Sequence, residues 1–206
     1  MVKPTIKTYV DPLRKGKVRR DCSPYLHELA LVVIAWNDLH RELSQLFWVV
    51  TGISDGGVAL RIWHSVPNDR AQRDMLRNAL KGGINHLWRA NEEGPAWAQR
   101  AKSDIEYILN KTDDISGPRN DALHSPFVFA QDGRTITMEA LDFFMSPRAA
   151  ALRGKDLLLD FKWQSESAAI IASFSQRVRL ALYQKPQPPW PVKPSLPSRP
   201  KQSKLR

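Results

Sequence analysis

Arg119, Asn120 and His124 fall within the six residues Arg119-Asn120-Asp121-Ala122-Leu123-His124, with Gly117-Pro118 before them and Ser125-Pro126 after. Arginine offers a planar fork of donors that fits phosphate oxygens. Histidine is the side chain whose unperturbed pKa, roughly 6.5, lets it exchange protons near neutrality. A phosphate grip beside a proton-transfer group is what a ribose 2′-hydroxyl needs to attack its own phosphodiester. No metal or other cofactor is required when the 2′-oxygen is the nucleophile. Gly117-Pro118 predicts a helix start at Pro118, where the free N–H groups of a first turn would welcome an anion. Arg119 and Asn120 would add donors at the same place.

Geometry complicates this picture. Residues five apart on a helix are turned about 140° from each other, and side chains lean toward the helix N-terminus, so Arg119 reaches away from His124. Two chains packed with these segments antiparallel would bring two Arg119–His124 sets around one cleft. The motif therefore predicts a symmetric homodimer with its site at the interface.

The stretch resembles the signature of the HEPN superfamily (higher eukaryotes and prokaryotes nucleotide-binding): arginine, four to six residues, then histidine, usually with a polar residue directly after the arginine. The resemblance implies an all-helical domain and, as in many members, a metal-independent endoribonuclease with a composite site at a dimer interface, often in toxin–antitoxin or phage-defence systems. It implies Arg119 and His124 as the catalytic pair, with His124 as acid and base, Arg119 as phosphate and transition-state stabiliser, and Asn120 as a supporting polar residue. RNA is then the substrate, with a 2′,3′-cyclic phosphate end as product, and an antitoxin or other protein is a possible partner. Two features depart from the pattern. Some toxin members carry a tyrosine two residues after the histidine, where this chain has Pro126, and the segments that follow the motif are not core features of the family. Other members bind nucleotides or partners without catalysis, so a non-catalytic helical module that binds nucleic acid or protein is the alternative.

Other candidate chemistry is weaker. Arg70, Arg73, Arg77 and Lys81 recur at steps of three, four and four, a helical stripe that suits a phosphate backbone or a solvated face paired with Asp69 and Asp74. His27, His40, His64 and His86 have no metal-type partner at helical spacing. The glycines between Gly52 and Gly57 lack the Lys-Ser/Thr of a phosphate loop and read as a turn. Cys22 is the only cysteine, so it forms no internal disulfide.

The net charge of +10 sits in the ends of the chain. Residues 1–21 carry seven Lys/Arg against two Asp, giving +5, and residues 185–206 carry six Lys/Arg and no acid, giving +6, which leaves −1 for 22–184. A basic isoelectric point would argue for nucleic acid if the folded body were basic; here only the tails can add counterion-release affinity for a polyanion. The longest strongly apolar run, Leu29 to Trp36, is eight residues, against about 18 for a membrane-spanning helix. No secretory leader is evident, and a cytoplasmic setting is expected.

The elements that must position the motif are mainly helical. The expected fold is all-α, a four- to five-helix bundle spanning residues 22–184 with a small β-hairpin insertion at about 127–138. Ser23-Pro24 signals a first helix running to Gly52, with 29–36 apolar all round and Trp36, Leu39, Leu43, Phe47 and Val50 on one face. A second helix follows Pro67-Asn68, with a further stretch through Leu87 and Trp88. A third begins at Pro95, a short one runs from Pro118 to His124, and a last one spans about Lys155 to Lys185. Asp132-Gly133 is the hairpin turn. Residues 1–21 are expected to be a flexible basic segment, and 185–206 a disordered basic tail whose composition cannot form a core. In that tail Pro188, Pro191, Pro194, Pro197 and Pro200 recur every third residue. In a polyproline II helix they would line one edge, as a ligand does in an aromatic groove.

Overall fold

A computed structural model of the chain describes residues 8–13, 16–82, 94–141, 146–184 and 187–201. In order these form β1 (Thr8–Val10), α1 (Lys17–Thr51), α2 (Gly56–Ser65), α3 (Asp69–Gly82), α4 (Gly94–His124), β2 (Phe127–Asp132), β3 (Thr135–Ala140), α5 (Pro147–Leu152) and α6 (Leu157–Tyr183). The protein is therefore mostly helical with one small antiparallel sheet. It divides into two compact units, one built from residues up to 34, 115–166 and 197 onward, the other from 35–114 and 167–196. The division runs through helices, and does not follow the composition changes at residues 21 and 184.

The first unit holds the sheet, in the order β1-β2-β3. Thr135 and Thr137 are exposed while Ile136 and Met138 are buried, the alternation of a strand with one face on a core. That core gathers Cys22 and Val32 from α1, Ala122 from α4, Phe129, Ile136 and Met138 from the sheet, and Leu152, Leu157 and Phe161. Phe127 meets Phe161 edge to face at 5.9 Å. Asp132 pairs with Thr135, so the two-residue turn is Gly133-Arg134, one residue later than expected. Gly133 takes φ +59° there, a conformation that costs a side chain but not glycine.

The second unit is helical. Trp36, Leu39, Leu43, Phe47 and Val50, the face expected from their spacing, are all buried. So are Trp63 of α2, Leu76 and Leu80 of α3, Trp97, Ala101, Ile105 and Ile108 of α4, and Ile171, Phe174 and Val178 of α6. The Gly52–Gly57 stretch is a turn that starts a helix the sequence reading lacked. Asp55 caps α2 by accepting from the backbone N–H of Gly57 and Val58. The Trp48 indole donates to the Ile53 carbonyl at 2.9 Å, and its ring lies where a Cβ on Gly56 would stand, 2.9 Å away. Only glycine fits at position 56.

Several boundaries need correction. Residues 1–21 are not simply flexible: β1 pairs with β2 through Tyr9 and Ala130, making the expected two-stranded hairpin a three-stranded sheet, and α1 already begins at Lys17. Pro24 lies inside α1 rather than at its start. Proline's φ is compatible with a helix and removes one hydrogen bond, while Val18 and Cys22 on the turns before it pack on the core. The 29–36 run is not buried all round, since Val33 is 36% and Ile34 56% exposed. The stretch through Leu87 and Trp88 lies outside the described residues.

Two further corrections bear on function. Pro118 does not start a helix: α4 is continuous from Gly94 to His124 with Pro118 inside, held by Ile115 and Ala122, which are buried on either side. Nor is residue range 187–201 a disordered tail. It has no helix or strand, but the Trp190 indole donates to Asp104 at 2.8 Å and the Tyr107 hydroxyl donates to the Pro194 carbonyl at 2.7 Å. In the first unit Trp163 donates to the Pro197 carbonyl at 3.0 Å. A proline-rich segment cannot build its own core, but its backbone is already restricted, so laying it on existing helices costs little entropy.

Candidate functional site

The motif occupies the last turns of α4. Ser125 N–H donates to the Asp121 carbonyl at 3.1 Å, Pro126 ends the helix, and β2 begins at Phe127. Ala122 points into the core and is fully buried. That fixes the rotation of the turn: Arg119, Asn120 and Asp121 are half-buried, and His124 is exposed. Arg119 Nη1 donates to Asn120 Oδ1 at 2.9 Å, so the residue after the arginine holds its guanidinium. The His124 side chain has no hydrogen bond or ion pair among the described residues. One chain does not bring Arg119 and His124 together, as helical geometry requires for residues about 140° apart.

Because α4 is continuous, its N–H groups at 119–121 belong to the helix interior, and Pro118 has none to offer. The anion site expected at a helix start does not exist there. Cations from elsewhere in the first unit gather on the motif instead. Burial pushes the Asp121 carboxyl above the usual carboxylate range, and Lys155, Arg148 and Arg199 pull it back down. Burial likewise holds the Lys155 ammonium below its ordinary range, opposed by Asp160 and Asp121. Asp160 is itself buried, accepts from Gln164 Nε2 at 2.9 Å and lies 3.5 Å from Arg199 Nε. Lys155 also lines a cleft of about 350 Å³ with Tyr25, Met138, Glu139, Arg153 and Asp156. None of Arg148, Lys155 or Arg199 stood out in the sequence. Their separations of 24 to 80 positions from the motif carry no local signal, and only the fold brings them near.

The other sequence candidate resolves differently. Arg70, Arg73, Arg77 and Lys81 do lie on one helix, α3, but they are not one solvated face. Arg73 is 3% exposed and its Nε lies 2.7 Å from Asp113 Oδ1 of α4. Arg77 pairs with the same carboxylate and with Asp74. Arg70 and Lys81 remain exposed. Asp69, expected among the acids of this stripe, instead accepts the Trp36 indole N–H at 2.8 Å. The middle of the stripe therefore joins α3 to α4 and is not open to a phosphate backbone.

Among the described residues no group of three or more His, Cys, Asp or Glu is placed to hold a metal, and no described helix is long and apolar enough to cross a membrane. No family model, no curated protein and no solved structure matches this chain.

Proposed function

We propose that the protein is a HEPN-like, metal-independent endoribonuclease that works as a homodimer, with Arg119 and His124 at its site. The observation that carries this reading is the exposed His124 on the last turn of α4, five residues beyond an arginine held by its neighbour Asn120. In this scheme His124 takes the proton of a ribose 2′-hydroxyl. The 2′-oxygen bonds to phosphorus as the P–O5′ bond breaks, a protonated His124 gives its proton to the leaving 5′-oxygen, and the product carries a 2′,3′-cyclic phosphate. Arg119 faces the charge that builds on the phosphate oxygens. With no helix start at Pro118, phosphate recognition rests on side chains: Arg119 and Asn120, then Lys155, Arg148 and Arg199 beside Asp121.

A second copy completes the site, because one helix turns the two residues apart. The same unit leaves Leu26 41%, Val33 36% and Ile34 56% exposed on α1, an apolar strip suited to a partner surface.

The test is RNA cleavage in EDTA by the full chain and by His124→Ala and Arg119→Ala. Wild type is expected to leave cyclic phosphate ends. His124→Ala should be slower by about 10²–10⁴-fold, and Arg119→Ala by about 10²–10³-fold. Equal cleavage by all three, or none by wild type, overturns the catalytic reading. A second reading, a non-catalytic helical module that binds protein, is favoured by the way one face of α4 grips a proline-rich segment. Absence of cleavage together with peptide binding would select it.

A further inference from the structure

Residues 187–196 lie on α4 without joining the core. None of the described residues from 187 to 201 is buried. Pro188, Pro191, Pro194, Pro197 and Pro200 are all half-buried, and most residues between them are exposed. A period of three is what a polyproline II helix shows when one edge rests on a surface.

The receiving face is built for such an edge. Trp97, Arg100, Asp104 and Tyr107 recur along α4 at steps of three, four and three, which aligns them on one side of the helix. Trp190 stands edge to face on Trp97 at 5.7 Å, under the Arg100 guanidinium at 5.6 Å, and its indole N–H donates to Asp104 Oδ2 at 2.8 Å. Lys193 Nζ lies 2.8 Å from the other Asp104 oxygen and 5.0 Å from the Tyr107 ring centre. The Tyr107 hydroxyl donates to the Pro194 carbonyl at 2.7 Å. A proline has no N–H, but its carbonyl is an unusually exposed acceptor. A tyrosine hydroxyl to that carbonyl, an aromatic wall, and an acid for a nearby cation are the elements by which proline-rich ligands are recognised.

We infer that this face of α4 is a recognition site for proline-rich basic segments, and that residues 187–196, with Trp190, Lys193 and Pro194 as anchors, are its resident ligand, held in cis and exchangeable. Trp97 and Asp104 are covered, at 3% and 6% exposure, but the anchors that touch them are themselves only half-buried or exposed, so the ligand can leave without drawing a core residue out. Tethering gives it an effective concentration of the order of millimolar, which keeps the site filled even at modest intrinsic affinity. The inference does not depend on the nuclease proposal.

The test keeps the folded full chain. A specific protease site is inserted after Gln184, the chain is folded and then cut, and a fluorescent peptide of residues 187–201 is added. Saturable binding to the cut chain is expected, at least ten-fold tighter than to the uncut chain, where the resident segment competes. A Trp190→Ala peptide, and an Asp104→Asn chain, should each bind at least ten-fold more weakly. Tyr107→Phe removes only the hydroxyl and serves where Asp104→Asn does not fold; a several-fold loss is expected. No peptide binding to the cut chain, or equal binding of the native and Trp190→Ala peptides, overturns the inference.

Discussion

Asp121 sits between Asn120 and Ala122 in the motif and titrates above the usual carboxylate range, chiefly because it is partly buried. The folded state therefore keeps the Asp121 proton to higher pH than the unfolded chain, whose value is about 3.9. Ionised Asp121 costs stability, and that cost grows as pH rises from the ordinary value to the folded one and is full at neutrality. Lys155 has the complementary sign: its ammonium is held below its ordinary range, so its cost is present at neutral pH and fades only as pH rises toward about 10.4. Asp121→Asn is expected to raise the urea midpoint at pH 7, with the gap to wild type closing below about pH 4. A gap independent of pH, or a wild type more stable at pH 7, would contradict the assignment. At this scale the sequence was informative about the motif and silent about its surroundings. Arg119, Asn120 and His124 are near neighbours in the chain, so their types and spacing could be read directly. Arg148, Lys155 and Arg199 reach Asp121 only through tertiary structure, which single-sequence patterns do not encode.

At the scale of elements, Pro118 separates two readings of α4. A proline at a helix start loses nothing, because its missing N–H would be unpaired anyway. Inside α4 it removes the donor for the Asp114 carbonyl and interrupts the ladder. Pro118→Ala is therefore expected to stabilise the protein by about 1–3 kcal/mol in denaturant titration; a neutral or destabilising effect would speak for a break at Gly117. The long helices were legible because an apolar face at period 3.6 is a physical requirement of burial, which is why Trp36 to Val50 and Trp97 to Ile108 were found. Their ends were not, since proline and glycine signal a helix boundary only when packing does not override them, as it does around Pro24 and Pro118. The α3 stripe was legible only in part for a related reason: Arg70 and Lys81 are exposed and Arg77 does pair with Asp74, but Arg73 is buried. Spacing shows which residues share a helix, but Arg73 is taken inward by Asp113 of α4, and no local pattern announces that partner.

For the molecule as a whole, composition identified what lacks a core of its own but not what borrows one. Residues 8–10 gain the edge of a sheet and 187–201 gain the side of helices, while the acid-neutral body and basic ends remain as the charge count had them. The two compact units also give one residue a use unrelated to any chemistry of the motif. Cys22 is the chain's only thiol, fully buried in the core of the first unit, and its pKa is raised by burial and by Asp21 and Asp11. A thiol reagent reacts with the thiolate and needs access, so labelling at mildly alkaline pH is expected to run at least 10²-fold slower than for a cysteine in a short peptide. Labelling as fast as the peptide would show that this core is open in solution. Otherwise the modification rate reports how often α1 lifts from the sheet, and the protein carries its own stopwatch for the opening of the unit that holds Arg119 and His124.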